Sequence, residues 1–292
     1  PWTNQSLKGF NLSGLRLFEQ FRIGVIQMIE LPEAFTLAKQ LNDYTLGKIV
    51  KEVVVGKSPH KFAFFSELEN YNKLLENQSI RGAHSSGGYV EILLGDNVSL
   101  LIGDGARLLF HHDHSTIPLK HQLLIVFRDN TYISATVQAY AMLYCQRTED
   151  IDNKYFLISK AKPSPLTDMF SPDYFSQMYQ ASKPTLSAKA FLATEQRIPG
   201  LGNGVLQDIL FDAIIHPKTK IEQLGDDRLK VLYKSIKQIL MTMTELGGRD
   251  TERDLFNKKG GYKTLMSKNT LGSGCPVCMT AIIKEAYLGG SV

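Results

Sequence analysis

One stretch limits what this chain can fold into more than any other: Gln196-Arg197-Ile198-Pro199-Gly200-Leu201-Gly202-Asn203-Gly204-Val205-Leu206, continuing to His216-Pro217. Gly200, Gly202 and Gly204 lie two residues apart, so side chains are missing where the backbone turns tightly or meets another surface at close range. Past the glycines, Val205, Leu206, Ile209, Leu210 and Ala213 recur at helical spacing, Asn203 suits the N-cap, and His216-Pro217 ends the run. A helix opening from a glycine turn presents unpaired amide N–H groups and the positive end of its dipole, which together can hold a phosphate. From spacing alone, a well-capped core helix after a loop is the commoner reading.

Ahead of this stretch the pattern changes twice. Residues 33–46 carry Ala34, Leu37, Ala38 and Leu41 on one helical face, with Pro32 and Glu33 suited to the first turn. From Lys48 to Tyr144 short apolar segments read as strands: 48–55, 89–94, 99–102, 107–110, 122–127 and 131–134, separated by Gly-Asp-Asn, Gly-Asp-Gly and Asp-Asn turns. Such a series predicts a β-sandwich. Ala161-Lys162-Pro163-Ser164-Pro165 reads as a linker, after which Ser171 and Ser187 introduce helices and residues 227–246 form a long amphipathic one. Lys230, Lys234 and Lys237 line its outer side, as a solvated face or a phosphate-tracking stripe.

With 292 residues there is room for two domains and an appendage, and a net charge of +4 permits a polyanionic partner without demanding one. No apolar run approaches the roughly 20 residues that span a bilayer, so no membrane partner is expected. The three cysteines cannot build a disulfide framework, and Cys275-Pro276-Val277-Cys278 is a C-x-x-C pair of the kind that binds zinc in a reducing compartment. A cytoplasmic location is therefore expected. A structural zinc needs four ligands, and Cys275 and Cys278 supply two. His111-His112-Asp113-His114 reads as a solvated loop, with His112 and His114 the pair able to converge on a metal.

Lys189-Ala190-Phe191-Leu192, the glycine turn, Asn203 and Ile215-His216-Pro217 resemble the helix-two-turn-helix signature of the formamidopyrimidine-DNA glycosylase and endonuclease VIII family. Ile29-Glu30-Leu31-Pro32-Glu33, Gly247-Gly248 through Gly261-Tyr262, and Cys275 to Cys278 follow that family's order and spacing. The resemblance implies an α+β fold: a β-sandwich domain with a flanking helix over 28–158, a helix-two-turn-helix DNA-binding domain over 166–262, and a zinc-finger-like hairpin over 263–292. Its second cysteine pair would fall beyond Val292, and residues 1–27 match nothing in the family. It further implies a monomer that binds duplex DNA, damaged or abasic, with Asn203 gripping the backbone beside Gly202. Arg197 and Arg249, by position, are candidate phosphate contacts.

The chemistry implied by the resemblance is base excision and cleavage at the abasic site, through a terminal proline that forms a Schiff base and a glutamate that moves protons. Glu30 and Glu33 match the family's carboxylates, but Ile29 stands where the proline belongs, and an amide nitrogen there is not nucleophilic. Gly88 occupies the position of the family's lysine, and Gly103-Asp104-Gly105 that of its wedge methionine. The remaining wedge residues fall near Ala139-Tyr140-Ala141, and the finger's glycine-arginine pair reads Gly289-Gly290. Three expectations follow: a damaged-DNA-binding protein with weak or absent glycosylase and lyase activity; an active enzyme using Glu30 and an amine such as Met28, Lys57 or Lys61; or a protein-interaction module on the same fold.

Overall fold

The computed structural model describes residues 28–292, so the expected extension over 1–27 lies outside them. Helix α1 spans Leu31–Thr45, with Pro32 in its first turn and Ala34, Leu37, Ala38 and Leu41 buried. Strands β1 (Val50–Val55) and β2 (Ala63–Phe65) and a short helix α2 (Asn70–Leu75) follow. Then come β3 (Ile80–Ser86), β4 (Tyr89–Leu94), β5 (Val98–His111), β6 (Leu123–Phe127) and β7 (Tyr132–Arg147).

These strands form one seven-stranded sheet in the order β1-β6-β7-β5-β4-β3, with β2 parallel to β7. Two long strands are shared between its halves. The first half of β5 pairs with β4 and with the end of β7, whereas its second half pairs with the start of β7, which also pairs β6. The register shift between Asp104 and Ala106 divides the two halves. Gly103-Asp104-Gly105 thus lies inside one continuous strand, opposite a bulge over residues 138–140 of β7, and is not the turn between two strands that composition suggested, because both flanking segments keep the same partner. An antiparallel bridge between Ile49 and Ser79 joins the ends of β1 and β3, so the two halves enclose one core that includes Val50, Tyr71, Ile92, Leu100, Ile125 and Phe127. That enclosure is the sandwich.

After α3 (Lys154–Ala161) the chain becomes helical: α4 (Pro172–Gln180), α5 (Ala188–Ala193), α6 (Asn203–Asp212) and α7 (Asp226–Glu245). The side chains of Ser171 and Ser187 accept from Tyr174 and Ala190 amides as N-caps of α4 and α5. A second core gathers Phe170, Phe175, Phe191, Leu206, Ile209, Leu232, Ile236 and Leu240. At the end, β8 (Ala286–Tyr287) and β9 (Gly290–Ser291) make a two-stranded hairpin. Among the described residues no helix is long and apolar enough to cross a membrane.

Candidate functional site

The two cores meet at an ion cluster built from two neighbouring carboxylates and an arginine 216 positions beyond the second of them. Glu30 sits at the N-cap of α1 and Glu33 in its first turn, while Arg249 follows the Gly247-Gly248 turn after α7. The Arg249 guanidinium donates to Glu33 through Nε at 3.0 Å and Nη2 at 2.8 Å, its backbone N–H reaches Glu33 Oε1 at 3.1 Å, and Nη1 lies 3.4 Å from Glu30 Oε2. Arg249 is only 2% exposed. Burial alone would lower its pKa, but the facing Glu30 and Glu33 carboxylates raise it and keep the guanidinium charged. An arginine so enclosed cannot reach a phosphate, so the expected DNA contact by Arg249 is corrected to an interdomain ion pair.

The glycine turn belongs to the same seam. Glu30 Oε1 accepts from the Gly204 N–H and Oε2 from the Val205 N–H, each at 2.8 Å. The anion that the start of α6 holds is therefore the protein's own Glu30, and the expected phosphate cradle is already filled at two of its amides. Close approach explains the glycines: a Cβ on Gly202 would stand 2.6 Å from Glu30 Oε1, and one on Gly204 1.5 Å from Arg249 Nη1. Gly200 adopts a left-handed φ of 76° against the Gly87-Gly88 backbone. The N-cap of α6 is Gly202, and Asn203 is its first helical residue, one position later than its capping chemistry suggested. Asn203 is exposed, and its backbone N–H has no protein acceptor among the described residues.

Where the family places its nucleophile, the Ile29 N–H donates to the Asp104 carbonyl at 2.9 Å and the side chain is buried. A Cβ on Gly88 would lie 2.9 Å from the Ile29 carbonyl, so the residue standing in for the lysine packs directly on this segment. Asp104 itself has φ 60° at the register shift, and burial pushes its carboxyl up to about 6. Beside it, Tyr89 and Tyr140 are raised by burial first and by the Asp104 charge second. Gln196, from the glycine-turn loop, faces Tyr89 with a buried Oε1 that has no hydrogen-bond partner and a φ of 47°. Left-handed non-glycine residues and an orphaned acceptor gathered at one place mark strain held by the surrounding fold.

Asp104 yields a test of this description. A carboxyl raised in the folded state favours folding below its unfolded pKa near 3.8 and loses that contribution as pH rises through about 6. Asp104→Asn, which tolerates a left-handed φ, is therefore expected to stabilise the protein by about 1–2 kcal/mol at pH 7 and to change little at pH 4. Urea midpoints at the two pH values measure it, and equal shifts at both would contradict the burial of this carboxylate.

The other candidates divide. Arg197 donates to Ser182 Oγ at 3.1 Å, to Thr194 Oγ1 at 2.9 Å and to the Ala190 and Thr194 carbonyls, and it pairs with Glu195. It closes the C-terminal end of α5, and its expected phosphate contact is replaced by that role. His111 is buried between Thr116 and Ser134, with His112 and His114 exposed, so the histidine run gathers no metal site. Lys230 pairs with Asp227, and Lys237 donates to the Thr167 carbonyl, as a solvated helix face does.

Cys275 and Cys278 share a tight turn in which Met279 N–H donates to the Cys275 carbonyl at 2.9 Å and Val277 N–H points to Cys275 Sγ at 3.4 Å. Hydrogen bonds from Thr280, then Cys275, hold the Cys278 thiol below its usual range. Two thiols so placed fit half of a tetrahedral zinc set. Among the described residues no group of three or more His, Cys, Asp or Glu side chains comes together to complete it.

Two tethers escaped sequence reasoning. Lys189 is 4% exposed and donates from Nζ to the Tyr287 and Ser291 carbonyls at 2.7 and 3.2 Å, docking the hairpin on α5. Gln207 adds a bond to the Ser291 carbonyl at 2.7 Å, and a Cβ on Gly290 would lie 3.2 Å from Asn203 Oδ1. Asn203 and the Gly289-Gly290 turn therefore share one surface. Asp208, fully buried, accepts from the Leu265 and Met266 amides at 2.9 and 2.8 Å. Its polar position among the apolar residues of α6 was the available signal.

Comparison with known proteins bears on this arrangement. Residues 162–254 match the family described as the formamidopyrimidine-DNA glycosylase H2TH domain. The formamidopyrimidine-DNA glycosylase of Aliivibrio fischeri is 29% identical over 271 residues, covering 88% of this chain and 93% of the relative. That of Rickettsia bellii is 27% identical over 278 residues, covering 90% and 96%. Among solved structures, Lactococcus lactis Fpg bound to DNA with an oxidized pyrimidine has a TM-score of 0.76 at 25% identity, covering 90% of this chain and 96% of its own. Thermus thermophilus MutM (Fpg) has a TM-score of 0.73 at 22% identity, covering 90% and 95%.

Proposed function

The chain belongs to the formamidopyrimidine-DNA glycosylase and endonuclease VIII family, and on that premise we propose that it binds damaged or abasic duplex DNA on this scaffold with glycosylase and lyase activity weak or lost. One observation carries the loss: the Ile29 nitrogen is an amide whose N–H is spent on the Asp104 carbonyl at 2.9 Å. An amide lone pair is delocalised into its carbonyl and does not attack a sugar carbon. Gly88 brings no second amine to that point, and its backbone packs against Ile29. Glu30 keeps the family's position, but two amides and Arg249 engage its carboxylate. Burial raises its pKa while Arg249 opposes that rise, and its work together with Glu33 is to hold the two domains in register.

Support for DNA comes from the relatives and from the surface left open around Asn203. Its amide side chain and free N–H stand at the positive end of α6, next to the docked hairpin. Cys275 and Cys278 are the residues that would hold a structural zinc, whose contribution is to brace that hairpin.

The test is a duplex carrying an abasic site. Salt-dependent binding is expected, weakened roughly tenfold by Asn203→Ala, with no covalent product on borohydride reduction. Borohydride trapping would instead reveal a working amine and restore the enzyme, with Lys57 and Lys61 the first to substitute. Binding indifferent to Asn203→Ala would take DNA off this face.

A further inference from the structure

The outer face of the sheet beside Ile29 carries exposed rings. In β2, Ala63 and Phe65 pack on the sandwich core, so Phe64 points to the opposite face, and Phe62, just before the strand, is exposed. The parallel register pairs Ala63 with Ala141 and Phe64 with Met142, and the Ala141 N–H donates to the Phe62 carbonyl at 3.0 Å, so Tyr140, one residue earlier, adjoins Phe62. Phe62, Phe64 and Tyr140 are 42%, 48% and 40% exposed. Farther along, the same face is covered: Met142 packs with Leu101 and Phe156 of α3. The rings are where that cover ends.

Lysines edge the rings on the β2 side, and the Asp104 carboxylate lies near Tyr140. Gly56 to Ser66 contains Lys57, His60 and Lys61 and no acidic residue. Lys61 Nζ lies 5.3 Å from the Phe62 ring centre, and the His60 ring stands edge-on to it at 6.3 Å. Lys57 and Lys61 are exposed and have no ion-pair partner among the described residues. Flat rings interleaved with unpaired lysines suit a polyanion whose own rings are exposed. An apolar peptide would leave the lysines unused.

Position sets which part of that polyanion is meant. Ala63 pairs Ala141, Ala141 pairs Asp104, and the Asp104 carbonyl accepts from Ile29. At strand spacings of about 4.8 Å, the rings stand roughly 10–15 Å from Ile29, about three or four base steps of DNA at about 3.4 Å each. We infer that Phe62, Phe64 and Tyr140, with Lys57 and Lys61 at their edge, form a stacking platform for unpaired bases of a DNA strand beside the site. It takes the place of the wedge that Asp104 cannot provide. The platform rests on the DNA reading above, and the experiment separates the two.

The probe is a duplex with a tetrahydrofuran abasic-site analogue opposite 2-aminopurine, compared with the same duplex intact. Binding of the wild-type chain is expected to change 2-aminopurine emission. A Phe62→Leu, Tyr140→Leu double variant, which keeps apolar bulk and removes the rings, is expected to abolish that change. It should also weaken binding to the abasic duplex roughly tenfold, leaving the intact duplex within about twofold. Lys61→Gln should lower the salt dependence on the abasic duplex alone. If the double variant behaves as wild type while Asn203→Ala weakens both duplexes, the platform is overturned and the DNA reading stands. If the wild-type chain binds neither duplex, both fall.

Discussion

Arg249→Met is expected to destabilise the protein by about 3–5 kcal/mol, because it leaves the buried carboxylates of Glu30 and Glu33 facing each other without a cation. Neither can escape to water: Glu30 is 7% and Glu33 4% exposed, and Glu30 is also fixed to the Gly204 and Val205 amides. Methionine matches the length of arginine without its charge, so the loss reports missing compensation more than a cavity. Urea unfolding followed separately by far-ultraviolet dichroism and tyrosine fluorescence would measure it, and would show whether the domains part company once the seam fails. A loss under about 1 kcal/mol would mean that the cluster is wetter than its burial indicates. Adding Glu33→Met to Arg249→Met should recover part of the loss, since it removes one of the two uncompensated carboxylates and leaves Glu30 on the Gly204 and Val205 amides.

Much of the fold could be read from periodicity. The expected helix over 33–46 appears as Leu31–Thr45, and that over 227–246 as Asp226–Glu245, since each buries a stripe at helical spacing with a proline or acidic residues in its first turn. Ser171 and Ser187 cap the helices they precede. Strand limits were harder to see. Val98–His111 is one strand that runs past a bulge in β7, and its Gly-Asp-Gly segment there has the same composition as a turn. Ile80–Ser86 carries Arg81, Gly82 and His84 among its residues, so alternation is too weak there to mark a strand.

The site was legible in its parts but not in its pairings. Gly200, Gly202 and Gly204 signalled close approach, yet whether a phosphate or a protein carboxylate approaches depends on Glu30, more than 160 positions earlier in the chain. Arg249 after two glycines looks like a surface residue for the same reason, because the carboxylates that bury it arrive from α1. Asn203 stood out at once and remains on the surface, since an exposed first-turn residue needs no distant partner to define it. What a single sequence cannot display is which long-range pairs close a seam.

Glu252→Gln tests whether that seam carries a pH dependence. Burial pushes the Glu252 carboxyl up to about 7, Arg249 opposes the rise, and Glu33 adds to it, while the carboxylate accepts the Met28 N–H at 3.1 Å. A carboxyl whose pKa rises on folding contributes its full share of stability below the unfolded value near 4.5 and loses it as pH rises through about 7. The wild-type chain should therefore weaken by about 2–3 kcal/mol from this group between pH 4.5 and 8. The glutamine stays neutral and can still accept from Met28, so the variant should match the wild type near pH 4.5 and exceed it by about that amount at pH 8. Asp104 and Glu30 shift the same way in both proteins, which makes the difference between the two curves the informative quantity. Parallel curves would place the proton elsewhere in the cluster. A gap that widens with pH would show that Glu252 sets an upper pH limit on the seam holding α1 against α6 and Arg249.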